Sequence, residues 1–195
     1  MTKKNLPVQK TRARKDKPAR LPGDPVAGYQ IGRMIRVDQA GEYGAARIYE
    51  GQLAVLEGKK AAKEIHRMVD QERKHLAAFD KLVAERRVRP TALAPVWHVA
   101  GFALGAATAM LGERAAMACT VAVEEVIDEH YRAQIEALDG DEADLAAIIA
   151  QFRAEEIEHR DIALAHGAED APGYPLLSAA IKAGSRLAIW LSTRI

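Results

Sequence analysis

The chain has 195 residues, 49% of them hydrophobic and 28% charged, with a formal net charge of +1. This length suggests one domain that can bury a real core. Cys119 is the only cysteine, which excludes an intrachain disulfide and predicts a buried structural thiol. Abundant alanine and leucine, with few prolines after residue 25, favour an all-α fold.

Residues 1–27 are predicted to form a disordered basic tail. Residues 1–20 contain eight Lys or Arg and one Asp, so the rest of the chain carries 20 basic and 26 acidic groups, a net charge of −6. Such a tail can contact anionic lipid or nucleic acid, or it can simply keep the chain soluble. The tail lacks the apolar core of an export signal, and it also lacks serine, which argues against a mitochondrial transit peptide.

Residues 28–195 are predicted to form one helical domain. Apolar periodicity predicts helices over about residues 28–58, 60–87, 113–138, 142–166 and 176–193. Gly58 is the expected stop of the first helix, and Asp141 can cap the fourth. In the last helix, Arg186 and Trp190 suit either a membrane interface or a helix that caps the bundle.

The segment 91–112, "TALAPVWHVAGFALGAATAMLG", holds no formally charged residue. It could enter a membrane, but Pro95, His98 and its glycines weaken it as a spanning helix. The alternative is a hydrophobic crossover that joins two halves of a bundle. We favour the crossover, with some membrane contact.

Two Glu-x-x-His pairs lie on apolar helix faces, where ionisable groups are rare unless they are paired or bound to metal. Glu72 and His75 continue the apolar stripe of the second helix, and Glu156 and His159 continue that of the fourth. The spacing puts both side chains of each pair on one face, one turn apart. These pairs predict a buried polar cluster.

Each pair follows a helix that carries a further inward glutamate. Glu42 precedes Glu72 by 30 residues, and Glu124 precedes Glu156 by 32, so the chain reads as two half-repeats. Glu124 shares the phase of the apolar face, whereas Glu125 points about 100° away from it.

Four inward Glu and two inward His match two divalent cations in charge. One Glu from each of two helices and Glu-x-x-His from the other two is the ligand pattern of di-iron carboxylate bundles. Oxygen and imidazole ligands suit Fe or Mn. The non-metal alternative is a set of surface or internally paired side chains.

Four stretches resemble the demethoxyubiquinone hydroxylases of ubiquinone biosynthesis. They are "RVDQAGEYGAARIYEGQLAVL" (36–56), "QERKH" (71–75), "ACTVAVEEVIDEHYRAQI" (118–135) and "FRAEEIEHRDIALAHGAEDAPGY" (152–174). Gln39 departs from a frequent His of the family, at a position that is not a ligand.

The resemblance implies a ferritin-like four-helix bundle with two Fe ions, extended by the hydrophobic crossover and a C-terminal helix. It assigns Glu42 and His75 to one iron, Glu124 and His159 to the other, and makes Glu72 and Glu156 bridges. It also implies a catalytic role for His130 and Tyr131, which lie near the metals and relay electrons or protons. For Tyr131, a structural role in the core is an equal alternative. Asp38 is a candidate partner of a ligand histidine.

The implied reaction is O2-dependent hydroxylation of the quinone ring of a polyprenylated demethoxyubiquinol. Electrons would come from the quinol itself or from NADH, although no Gly-x-Gly-x-x-Gly motif is present. The resemblance further implies peripheral membrane association and an accessory protein of ubiquinone biosynthesis, but no nucleic-acid partner. The expected location is the cytoplasmic face of a bacterial inner membrane, or alternatively the matrix side of the mitochondrial inner membrane.

Three other functions share parts of this pattern. A ferritin-like storage protein and a manganese catalase or rubrerythrin-like peroxidase would share the metal site. A structural bundle that binds lipid or protein would hold no metal.

Overall fold

Six α-helices build the part of the chain that the structure, a computed structural model, describes: residues 27–138 and 142–195. They are α1 Ala27–Leu56, α2 Ala62–Glu85, α3 Ala94–Met110, α4 Glu113–Leu138, α5 Ala143–Ala165 and α6 Tyr174–Ser192, with a 3-10 turn at Ala168–Asp170. These residues contain no β-strand, which confirms the all-α prediction. The predicted basic tail, apart from Ala27, and the predicted Asp141 cap lie outside the described residues.

The ends of the five helices that periodicity predicted differ from the predicted ends by at most two residues. Gly58 follows α1 with φ +79°, a left-handed conformation that glycine adopts without steric cost. The last helix begins at Tyr174, two residues earlier than predicted, with Pro175 in its first turn. Proline fits there because its missing N–H would have no partner within the helix.

Helices α1, α2, α4 and α5 form the four-helix bundle, and its apolar core has two parts. One part contains Ile35, Phe79, Tyr131, Leu145, Ile149 and Phe152. The other contains Tyr49, Leu56, Ile65, Met68, Met117 and Val121. On every bundle helix, the ionisable residues singled out above fall between these two parts. The fold therefore places them in the middle of the bundle, with a part of the apolar core on each side that excludes water.

Helix α3 is the predicted crossover, and it packs directly along α1. A Cβ atom added to Gly105 would overlap the backbone carbonyl of Ile48, and one added to Gly51 would overlap that of Phe102. Glycine at these positions lets the two backbones touch. Among the described residues, no helix combines the length and the apolarity that crossing a membrane requires.

Helix α6 lies along α4 and is held there by ion pairs as well as apolar contacts. Lys182 pairs with Glu125, and Arg186 Nη2 lies 3.0 Å from Glu129 Oε2. Ile181 is buried against Cys119 and Val123 of α4. The predicted C-terminal helix is thus an added layer on the bundle.

Candidate metal centre

The structure brings together the six residues that the sequence analysis proposed as metal ligands. They form two groups in which one candidate ligand atom per residue lies within 4.8 Å of the others. One group is Glu42, Glu72, His75 and Glu156, and the second is Glu72, Glu124, Glu156 and His159. Both groups contain Glu72 and Glu156, so two adjacent candidate metal positions share these two carboxylates. All six side chains are buried.

Each cluster histidine points one ring nitrogen at the carboxylates. His75 Nδ1 lies 3.0 Å from Glu156 Oε1 and 3.2 Å from Glu42 Oε2. His159 Nδ1 lies 3.0 Å from Glu156 Oε2 and 3.3 Å from Glu72 Oε1. This direction leaves Nδ1 of each ring as the candidate ligand atom.

The neighbouring glutamate Glu125 takes a different direction. Glu124 enters the cluster, while Glu125 pairs with Lys182 at the α4–α6 contact. Adjacent helical residues are about 100° apart, so one of the two must leave the bundle interior.

Burial is the largest single influence on the pKa of each cluster carboxyl group. Desolvation, together with the charge of neighbouring carboxylates, raises the pKa of Glu72 and Glu124 well above the usual range. Desolvation also raises the pKa of Glu42. Burial opposes ionisation of Glu156 as well, but hydrogen bonds from His159 and His75 outweigh it and lower its pKa to about 2. Ionising all four carboxyl groups in this space therefore requires added positive charge.

Several cluster oxygens have no hydrogen-bond partner among the described residues. They are both carboxylate oxygens of Glu72 and Oε2 of Glu124. Buried polar atoms without partners are rare in native proteins and call for an ion or another explanation. Because these are oxygens of the candidate ligands, and the remaining donors are imidazoles, the residues fit two divalent metals that prefer oxygen and nitrogen.

Two tyrosines complete the cluster, and they follow the half-repeat. Tyr49, seven residues after Glu42, donates a hydrogen bond to Glu124 on the other helix. Tyr131, seven residues after Glu124, donates to Glu42. The sequence analysis did not single out Tyr49. The equal spacing of seven was the signal that could have revealed its role.

The opposite nitrogen of each cluster histidine contacts the other half-repeat. His75 Nε2 donates to Glu155 Oε2 at 2.8 Å, and His159 Nε2 donates to Gln71 Oε1 at 3.1 Å. The sequence analysis did not identify Gln71 or Glu155, although each directly precedes the glutamate of a Glu-x-x-His pair.

His130 and Asp38 lie outside the cluster. His130 is partly exposed, and its Nε2 lies 3.2 Å from Asp38 Oδ1. Asp38 Oδ1 also accepts a hydrogen bond of 2.7 Å from Gln134. The prediction that Asp38 holds a ligand histidine is therefore wrong. Asp38 faces α4 at the level of His130, about one helical turn before Glu42, so it contacts neither His75 nor His159.

An apolar cavity of about 380 Å³ lies beside the cluster, between α1, α3, α4 and α6. Its lining contains no Asp, Glu, Lys or Arg, and it includes Gly41 and Val123, which directly precede Glu42 and Glu124. The cavity and the cluster therefore occupy adjacent faces of α1 and α4. Trp97 of α3 donates a 2.9 Å hydrogen bond to Ser192 of α6, and both residues line the cavity.

Comparisons with known proteins show similarity along nearly the whole chain. The family model "Ubiquinone biosynthesis protein COQ7" matches residues 29–192. The chain is 61% identical over 184 residues to the 3-demethoxyubiquinol 3-hydroxylase of Rhodospirillum rubrum, covering 93% of the chain and 86% of the relative. It is 52% identical over 176 residues to the mitochondrial NADPH-dependent 3-demethoxyubiquinone 3-hydroxylase of Homo sapiens, covering 88% and 81%. Identity to the mitochondrial 5-demethoxyubiquinone hydroxylase of Saccharomyces cerevisiae is 41% over 182 residues, covering 85% and 78%. These similarities confirm the family resemblance that the motifs indicated.

Proposed function

Because the chain belongs to the family of ubiquinone biosynthesis protein COQ7, we propose that it is a di-iron monooxygenase that hydroxylates the ring of a polyprenylated demethoxyubiquinol. One oxygen atom of O2 becomes the new ring hydroxyl, and the other leaves as water. Two electrons and two protons from a reductant balance the reaction. The single observation that carries this proposal is the pair of buried ligand groups that share Glu72 and Glu156.

Six residues would hold the two irons. Glu42 and His75 would serve one position, Glu124 and His159 would serve the other, and Glu72 and Glu156 would be shared by both. Two Fe(II) ions would balance four carboxylates, which desolvation otherwise makes costly to ionise. When bound, the iron pair would supply the redox chemistry by which O2 is activated to hydroxylate the ring.

The surrounding residues orient the ligands and exclude water. Tyr131 and Tyr49 donate hydrogen bonds to Glu42 and Glu124, which fixes these two carboxylates across the α1–α4 interface. The apolar core on both sides of the cluster keeps solvent away from the reacting centre. We propose a catalytic role for Tyr131 through Glu42, whereas His130 would act from outside the cluster, beside Asp38.

The apolar cavity is the proposed quinol site. Its uncharged lining suits a ring that carries a hydrocarbon chain, and Gly41 and Val123 bring the cavity wall next to two cluster glutamates. A ligand in the cavity would approach the cluster from the side lined by α1 and α4. The space between α3 and α6 leaves a route for the prenyl chain.

Peripheral contact with a membrane would deliver this substrate. Val99 of α3 and Leu187 and Trp190 of α6 are large apolar residues that are more than half exposed. The Arg194 guanidinium lies 4.1 Å from the Trp190 ring centroid, a pairing of aromatic ring and cation that suits the lipid headgroup level. We propose the cytoplasmic face of a bacterial inner membrane, with the matrix side of the mitochondrial inner membrane as the alternative.

The reductant of the proposed reaction would be a reduced nicotinamide or the quinol itself. The sequence analysis named the quinol or NADH, whereas the name of the human relative specifies NADPH. We therefore propose NADPH as the first donor to supply, with NADH and the quinol itself in parallel. An accessory protein of ubiquinone biosynthesis completes the proposed set of partners.

A single-turnover assay tests the proposal. The full chain is loaded with Fe(II) without oxygen, mixed with a short-chain demethoxyubiquinol and exposed to 18-O-labelled O2, and the product is weighed by mass spectrometry. Incorporation of one labelled oxygen atom is expected, and Glu72→Gln protein serves as the metal-site control. If iron reacts with O2 while the quinol stays unchanged, the function is an oxidase or a storage protein instead.

A further inference from the structure

The two cluster histidines make outer contacts of different charge. Nε2 of His75 donates to the carboxylate of Glu155 at 2.8 Å, whereas Nε2 of His159 donates to the amide oxygen of Gln71 at 3.1 Å. Gln71 and Glu155 occupy equivalent places, since each directly precedes the glutamate of its Glu-x-x-His pair. The two half-repeats therefore place these residues equivalently, but one residue is a neutral amide and the other is a carboxylate.

The inner ligands do not carry this difference. Each candidate metal position has one glutamate and one histidine of its own, and both positions share Glu72 and Glu156. The tyrosine contacts are also matched, since each unshared glutamate accepts a hydrogen bond from a tyrosine. Among these contacts, the charge difference lies in Glu155 against Gln71.

An outer carboxylate changes how well an imidazole binds metal. A metal-bound histidine that donates its other N–H to a carboxylate becomes a more basic ligand and keeps its ring fixed. Gln151 and Gln71 donate to the Glu155 carboxylate at 3.0 and 3.4 Å, so its orientation is also fixed. The Glu155 side chain is 27% exposed, which leaves its charge only partly screened.

We propose that Glu155 is a positioning residue that makes the two metal positions unequal. The position served by Glu42 and His75 binds a divalent metal more tightly than the position served by Glu124 and His159, and it fills first. This inference rests on the proposed function only in requiring that the cluster binds two metals.

The test is a metal titration of the full chain. Calorimetry with Fe(II) without oxygen gives two dissociation constants, and Nitrogen-15 NMR of the histidine rings with diamagnetic Zn(II) shows which ring is bound first. In the unaltered chain, His75 is expected to respond before His159. Glu155→Gln is expected to weaken the tighter position about ten-fold, near the lower end of the effect of losing an outer partner, and to leave the weaker one unchanged.

A charge exchange provides the sharpest comparison. The double variant Gln71→Glu/Glu155→Gln keeps the net charge and the same pair of side chains, but it gives the carboxylate to His159. The order of filling is expected to invert. Glu158→Gln is the matched control, because Glu158 lies on the same helix and pairs with Arg67 rather than with a histidine.

Each result has a distinct meaning. Two metals per chain with an order of filling that the exchange inverts supports the inference. Two metals whose constants and order stay the same in Glu155→Gln and in the exchange variant overturns it and leaves the di-iron proposal intact. No metal binding by the unaltered chain overturns the proposed function together with the inference.

Discussion

Glu72 and Glu156 differ from the other cluster residues because each belongs to both candidate metal positions. Loss of one shared carboxylate removes a ligand from two metals, whereas loss of His159 removes a ligand from one. The Glu72 carboxylate also lacks a hydrogen-bond partner among the described residues, so bound metal would stabilise its burial more than that of Glu156.

Iron content should therefore separate bridging from terminal ligands. Glu72→Gln is expected to weaken the binding of both irons by about 100-fold or more, which exceeds the usual effect of losing an outer contact. His159→Ala is expected to retain about one iron per chain, because its other position keeps all four ligands. Iron is counted by colorimetric assay after desalting, with Glu158→Gln as the control. Equal losses in Glu72→Gln and His159→Ala would contradict the bridging assignment.

Cys119 is expected to be unreactive in the folded protein. The residue is fully buried, and burial raises the pKa of its thiol from 9.0 to about 12. At pH 8 the folded chain should resist iodoacetamide and should react only when it is unfolded by urea.

The same pKa shift predicts a dependence of stability on pH. A raised folded-state pKa contributes stability that is complete below pH 9 and is lost as the pH rises through about 12. Between pH 8 and pH 11, the Cys119→Ala variant should therefore lose less unfolding free energy than the unaltered chain. Urea unfolding at the two pH values measures this difference. An equal loss in both proteins would contradict a buried, protonated thiol.

The cluster residues could be predicted from the sequence because each interrupts an apolar stripe in phase. The residues that contact the outer nitrogens of the two cluster histidines could not be predicted in this way. The contacts Glu155–His75 and Gln71–His159 cross between helices, and spacing within one helix does not determine which residue of another helix lies opposite. Asp38 shows the same limit, because a spacing of four from Glu42 placed it near the cluster while the structure directs it to His130.

At the scale of elements, α3 depends on glycine for its contact with α1. Gly105→Ala is expected to push the helices apart and to cost about 3 kcal/mol, because the new methyl group meets the fixed carbonyl of Ile48. Gly44→Ala is the control on α1, where nothing lies within 4 Å of an added Cβ, and it should be neutral or stabilise by up to about 1 kcal/mol. Urea unfolding measures both. Equal effects would show that the contact is not tight.

The cavity between α3 and α6 can be tested with the intrinsic fluorescence of Trp97. The chain has two tryptophans, so Trp190→Phe leaves Trp97 as the only one. Ubiquinone with one isoprene unit should then quench the emission to saturation, because Trp97 lines the cavity. Gly184→Leu fills the cavity from α6 and should abolish saturable quenching. Quenching that rises linearly without saturation in both proteins would contradict a quinone site here.

Five of the six helices were predictable, since apolar periodicity located all of them except α3 within two residues. Periodicity could not show how α3 is used, because a segment without charge suits both a membrane and a protein contact. The deciding features are Gly51 and Gly105, whose lack of side chains allows α3 to lie against the backbone of α1.

At the scale of the whole molecule, α3 and α6 present exposed apolar residues on the layer that covers the cavity. Val99→Asp and Trp190→Asp are each expected to reduce flotation with liposomes of anionic lipid by about ten-fold, since each removes roughly 1.5 kcal/mol or more of apolar burial. Ala77→Asp on the exposed face of α2 adds the same charge away from these helices. If all three variants float alike, α3 and α6 do not form the membrane surface.

The buried cluster is proposed to hold two irons that share Glu72 and Glu156. The most direct measurement is Mössbauer spectroscopy of the full chain loaded with iron-57 and oxidised, combined with an iron count. Two magnetically coupled irons per chain are expected, since shared carboxylates would place them side by side. One iron per chain, or two irons with the spectrum of isolated ferric ions, would contradict it.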